Sequence, residues 1–231
     1  MIYQLIINVV EIMAVISGAI YVNKYREDNS SRYLFYFLFF TLFIELIFGW
    51  LPRVIGRMEI LRFLENSILS NNEWIYNIYI ITKFLFYTFY FNLFLKKREL
   101  RNIMIFGMFL FLISTVINLI FSKVFFVTIS SYTYITGSLL LMLSVLFYFF
   151  EVLKSDEILN FHKTIVFYIS IGTLIFHLCV TPLFIYSKYY KIEKSPEFVQ
   201  VYQIILTAAN IFMYSCYTIG FLVCSRKNKS Y

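Results

Sequence analysis

The sequence predicts an all-α fold, a polytopic membrane bundle of seven transmembrane helices, and three observations carry that prediction. The 231 residues are 61% hydrophobic and 14% charged, which is more apolar surface than a soluble domain of this length can bury. Seven apolar stretches each approach the roughly 20 residues that about 30 Å of hydrocarbon asks of a helix. None shows the two-residue alternation of a barrel strand, and lipid offers unpaired backbone no partner, so these runs are expected to be helical. The longest connection, from about Pro52 to Glu73, is too short for a second domain, and the chain reads as one integral membrane domain over 1–231.

The elements follow in order, over windows 4–22, 33–51, 74–95, 103–121, 132–150, 164–186 and 199–223. The first carries a polar row of Gln4, Asn8 and Glu11 that continues toward Gly18. In the second, Thr41 lies one turn from Glu45. Between the second and third windows, Val54, Met58, Leu61, Leu64 and Ile68 recur at helical spacing with Arg57, Arg62 and Glu65 elsewhere around the turn. That pattern predicts an amphipathic helix over 53–69, lying on the membrane surface or packed as a lid. The third window aligns Tyr76, Tyr79, Lys83, Tyr87 and Tyr90 on one face, which surrounds the ammonium with phenols. The fourth offers Ser114 and Asn118, and the fifth the small residues Gly137, Ser138 and Ser144. The sixth holds Ser170, Thr173, His177 and Thr181, with Pro182 placed to kink the helix. The seventh has the clearest stripe, in which Gln200, Gln203, Thr207, Asn210, Tyr214 and Tyr217 alternate at spacings of three and four. Such a face looks at other helices or at a wet cavity, not at lipid.

The net charge of +7 is spread over short loops, the habit of membrane proteins and not of nucleic-acid binders, so no nucleic-acid partner is expected. With the N-terminus outside, twelve loop Lys and Arg residues fall on the cytoplasmic side, including the Lys96, Lys97, Arg98 and Arg101 cluster and Arg226, Lys227 and Lys229 near the C-terminus. Seven fall outside: Arg53, Arg57, Arg62, Lys123, Lys188, Lys191 and Lys194. The asymmetry predicts N-out and C-in, with Lys96 to Arg101 and the C-terminus as candidate surfaces for a cytoplasmic partner. No basic region precedes the first apolar stretch and Glu11 lies within it, so a cleaved signal peptide is not expected. The expected location is a bacterial plasma membrane.

Ionisable residues inside apolar spans mark functional sites, because an unpaired charge in hydrocarbon costs several kcal/mol. Taking about 1.5 Å per residue from the outer end of each helix, Glu11 and Glu45 lie about 10 and 9 Å deep, Lys83 and His177 about 13 Å, and Asn210 about 16 Å. These residues therefore form one expected layer in the outer half. Lys83 is expected to pair with Glu11 or Glu45, leaving the other carboxylate to a proton, to His177 or to a cation from outside.

The expected ligand- or ion-binding residues are Glu11, Glu45, Lys83, His177, Gln203, Thr207 and Asn210, with Asn8, Tyr79, Tyr87, Asn118 and Tyr214 as secondary lining. A salt bridge that only holds helices together is the alternative reading. Two histidines do not make a three-histidine zinc site, no GxSxG elbow or phosphate-binding glycine loop is present, and the last span has no lysine for retinal. Cys179, Cys216 and Cys224 show no regular spacing and are expected as free thiols. Neither a cofactor nor a catalytic residue is expected. The reading is small-solute or ion transport, or membrane sensing. A structural or pore-forming effector stands as the alternative, and a lipid enzyme using Glu11, Glu45 and His177 is the least supported. The oligomeric state is left open.

The stretch Asn71-Asn72-Glu73-Trp74-Ile75-Tyr76-Asn77-Ile78-Tyr79, running on through Lys83-Phe84 to Tyr87, resembles a segment of a family of small, uncharacterised seven-helix membrane proteins of Bacteroidota-type bacteria. The resemblance covers roughly one helix, and it implies that fold without implying an activity. That family's pattern commonly has an acid where this chain has Lys83, so no residue role is carried over.

Overall fold

The computed structural model describes residues 2–57, 63, 67–155, 160–186 and 196–226, and among these it is helical without a strand. The helices are α1 (Ile2–Lys24), α2 (Asn29–Ile47), the short α3 (Leu51–Ile55), α4 (Glu73–Asn92), α5 (Arg98–Ser122), α6 (Ser131–Leu153), α7 (Ile165–Ile185) and α8 (Pro196–Arg226). Each of the seven long helices overlaps one of the seven expected windows, α2 being displaced by four residues toward the N-terminus. Six stretches are long and apolar enough to cross a membrane: Ile2–Lys24, Asn29–Ile55, Arg98–Ser122, Ser131–Leu153, Ile165–Ile185 and Pro196–Ser225. The exception is α4, whose 20 residues include Glu73, Lys83 and four tyrosines.

Helix ends are set by capping chemistry more than by hydropathy. α2 starts four residues before the apolar window because the Asp28 carboxylate accepts from Ser31 N at 3.0 Å and from Ser31 Oγ at 2.7 Å. The Ser130 hydroxyl caps α6 in the same way, accepting from Thr133 N at 3.2 Å. The helix expected over 53–69 is not continuous: α3 stops at Ile55 with Gly56 as its C-cap, and Ile68–Ser70 is a separate 3-10 turn capped by Ser67. Met58, Leu61, Arg62, Leu64 and Glu65 lie outside the described residues, as do Lys188, Lys191, Lys194, Lys227 and Lys229.

Six helices close into a ring in the order α2, α1, α8, α7, α6, α4, with the thinnest seam between α4 and α2, while α5 lies outboard against α4 and α6. α1 and α8 run the same way, since Lys24 Nζ and Tyr25 Oη both donate to the Ser225 carbonyl at their far ends. α4 runs parallel to α6 across the bundle. At one end Asn77 Oδ1 accepts from Ser130 N at 2.9 Å, and at the other the Glu151 carboxylate accepts from Lys96 N and Lys97 N at 2.6 and 2.9 Å. The close approach of these two helices depends on Gly137, where a Cβ would lie 2.2 Å from Phe84 Cδ2.

The half of the bundle away from the start of α1 is closed by aromatic packing. Tyr90, Phe91 and Phe221 are fully buried there, with Phe91 and Tyr148 ring centroids 6.3 Å apart and Tyr21 and Phe221 5.8 Å apart. In lipid such contacts hold helices by dispersion and shape, because apolar burial from water contributes little between spans. The outward faces are apolar, notably Phe106, Ile113 and Phe121 on α5.

Candidate functional site

The end of the bundle that holds the start of α1 is open inside. A cavity of about 370 Å³ is lined by all six ring helices, and α5 contributes nothing to it. It reaches from rim residues such as Tyr3, Gln4 and Tyr202 down to Tyr87 and Tyr217. Along α8 that is 15 residues, or about 22 Å at 1.5 Å each.

The acidic side is built by α1 and α2. Glu11 comes from the polar row of α1, and Glu45 from the last turns of α2. Tyr76 Oη donates to Glu45 Oε2 at 2.8 Å, and Tyr214 lines the cavity beside Glu11. Glu11 is only 3% exposed, and its Oε2 has no partner among the described residues. Tyr79 Oη donates to Thr41 Oγ1 at 3.2 Å, which helps α4 hold α2 across the thin seam. Stacking of Phe37 on Phe86 at 3.9 Å adds to that seam.

The cationic side is built by α4, α6 and α7. Lys83 Nζ sits 5.3 Å from the Phe84 ring, 5.3 Å from Tyr134 and 5.6 Å from Phe176, within the range of cation–π attraction. The expected ion pair is not formed, for no carboxylate comes within 4.0 Å of Lys83 among the described residues. The reason is competition. The Tyr76 phenol occupies Glu45, and aromatic rings from α6 and α7 draw the ammonium to the other side. Those rings are also not the expected ones: the α4 phenols Tyr79 and Tyr87 face the cavity, but the Lys83 cage comes from Phe84, Tyr134 and Phe176.

His177 is 2% exposed, edge-on to Phe176 at 5.0 Å and tilted against Phe84 at 5.3 Å. Its Nδ1 and the Tyr134 hydroxyl are buried without a partner among the described residues. Tyr134 is fixed by stacking on Phe184 at 3.6 Å. At the floor the Tyr217 and Thr173 hydroxyls hydrogen-bond at 2.7 Å, and the Tyr87 ring lies 6.5 Å from that of Tyr217.

Of the twelve expected residues, ten line this cavity: Glu11, Glu45, Lys83, His177, Gln203, Thr207, Asn210, Tyr79, Tyr87 and Tyr214. Two do not, and both are corrected here. Asn8 is buried in a helix contact; with its amide turned to suit, its oxygen accepts from Trp50 Nε1 at 2.9 Å. Asn118 lies on outboard α5, where its Oδ1 accepts from Ser130 Oγ at 3.1 Å and so braces the start of α6.

The sequence reading missed Arg53, Tyr134, Phe176 and Tyr202 among the lining. Arg53 was counted as a loop charge, yet the turn of α3 brings it over the rim, where it donates to Gln4 Oε1 and to the Gly49 carbonyl. The register of Tyr134 with Ser138 and Leu141 could have flagged it. Nothing in the sequence marks Arg53. Among the described residues no three His, Cys, Asp or Glu side chains gather as a metal site.

No protein-family model, no curated protein and no solved structure matches this chain. The geometry itself therefore defines the class: a helical bundle with spans of membrane-crossing length around a cavity lined by charged, polar and aromatic side chains.

Proposed function

We propose that this is an integral membrane protein of seven crossings whose cavity binds a small polar solute or ion, for transport or sensing. α4 supplies the seventh crossing. Its 20 residues match the 19 of α2, it runs beside α6 from Asn77 to the Glu151 contact, and its polar face is spent on the cavity instead of on lipid. The distribution of Lys and Arg supports N-out in a bacterial plasma membrane, which puts the cavity mouth outside. On this reading the Lys96 to Arg101 cluster faces the cytoplasm as a partner surface, its backbone fastened by Glu151.

The observation that carries the reading is the separation of charges around open volume. A charge cluster serving only to hold helices would close into contact, since a buried unpaired charge is costly. Here Glu11, Glu45, Lys83 and Arg53 line about 370 Å³ instead, within the roughly 300–1,000 Å³ usual for ligand sites.

The test is a double-mutant cycle on purified protein, with Glu45→Gln and Lys83→Met singly and together. Binding-site charges predict that both single variants fold, so that the double variant has no lost fold to restore. Loss of folding in each single variant, restored in the double, would show a structural charge pair and defeat the reading.

A further inference from the structure

We propose that the cavity recognises a small zwitterion of amino-acid size, its ammonium held at Glu11 and Glu45 and its carboxylate at Lys83. This inference rests on the binding role proposed above and names the class of ligand.

Charge segregation is the first observation. Glu11 and Glu45 belong to α1 and α2 and lie near enough to act electrostatically on each other and on Lys83, although neither carboxyl comes within 4.0 Å of the ammonium. The Lys83 ammonium is turned toward α6 and α7, among the rings of Tyr134 and Phe176. Both sides line the same cavity. Opposite charges at one level of a low-dielectric bundle attract strongly, so keeping them apart makes sense when a third body bridges them.

The second observation is that three of the buried polar atoms without a partner among the described residues belong to side chains lining the cavity, on both of its sides, while four others lie elsewhere in the bundle. Glu11 Oε2 is buried without a partner, and a turn of its carboxyl toward the cavity would bring it to an ammonium N–H. Tyr134 Oη and His177 Nδ1 are buried without partners beside Lys83. A carboxylate there would accept from the phenol and the ammonium, and from an Nδ1-protonated imidazole. A simple cation would satisfy only the first side and a simple anion only the second. A zwitterion serves both.

Charge balance is the third. The cavity is lined by two carboxyl groups and two basic groups, Lys83 and Arg53 at the rim, so acids and bases match in number and a solute of net zero charge keeps that match. The volume of about 370 Å³ lies at the small end of ligand sites. The phenyl and phenol faces of Phe176, Tyr79 and Tyr87 supply apolar walls for a ligand body.

The experiment measures thermal unfolding of the full chain in detergent with three probe sets: the common L-α-amino acids and short ω-amino acids, their decarboxylated amines, and their deaminated carboxylic acids. At least one zwitterion is expected to raise the unfolding midpoint dose-dependently. Its amine and its acid are expected to bind at least about tenfold more weakly. Lys83→Gln should bring the zwitterion down to the level of its amine, and Glu11→Gln down to that of its acid. The wild-type ligand series stands even if either variant fails to fold. An amine or acid that stabilises as strongly as its zwitterion overturns this inference but leaves the binding site intact. No response to any probe also overturns it, and the double-mutant cycle above then decides separately whether the cavity is a site.

Discussion

Asn77 shows how single side chains hold the cavity in place. It is 1% exposed, and its amide makes three bonds: Nδ2 donates to the carbonyls of Phe125 and Thr128, both at 3.0 Å, and Oδ1 accepts from Ser130 N. Those bonds tie the turn before α6 to α4, and so tie Tyr134 to Lys83. Asn77→Leu would leave the buried Ser130 N–H without its partner and release two carbonyls of the partly exposed turn, and we expect a loss of about 1–3 kcal/mol in unfolding free energy, measured by denaturant titration in detergent. A change below about 1 kcal/mol would show that the turn is held otherwise. The importance of Asn77 was not legible in the sequence. It lies on the same helix as the Lys83 stripe but off its phase, and its partners are backbone groups about 50 residues away. The acids and Lys83 were legible because an ionisable residue in an apolar run stands out whatever it touches.

At the scale of elements, periodicity read well and boundaries less well. The stripe on α8 placed Gln203, Thr207, Asn210 and Tyr214 in the cavity because spacings of three and four fix a face. Phase does not say which neighbour a face meets, and so Asn8 and Asn118 were assigned to the lining while they serve helix contacts. Hydropathy windows likewise began α2 late, since its first turn is polar and held by Asp28. Asp28→Ala should cost about 1 kcal/mol by removing the cap. The packing of α4 on α6 yields a sharper prediction: Gly137→Val must displace Phe84 and should cost about 3 kcal/mol. Phe84 also touches His177 and the Lys83 ammonium, so the same variant should weaken any ligand response. Wild-type stability with Val at 137 would mean that the helices separate freely there.

At the scale of the molecule, the ring of six helices divides into an open half and a closed half. The open half gathers Glu11, Glu45, Lys83 and His177 from α1, α2, α4 and α7, as expected from depth alone. The closed half, with Phe91 and Phe221 fully buried, ends the cavity below Tyr217. The closed floor was not legible, because sequence phase carries the polar face of α8 on through Tyr217 without showing that aromatic rings close beneath it. The central claim is that the charged residues surround a wet space reached from the end where α1 begins. It is tested most directly by cysteine accessibility in cells, after Cys179, Cys216 and Cys224 are replaced. Gln203→Cys and Thr207→Cys should react with a small membrane-impermeant thiol reagent added outside, and Phe221→Cys should not. An unreactive Thr207→Cys beside a reactive Gln203→Cys, or reaction only from the cytoplasmic side, would contradict the account.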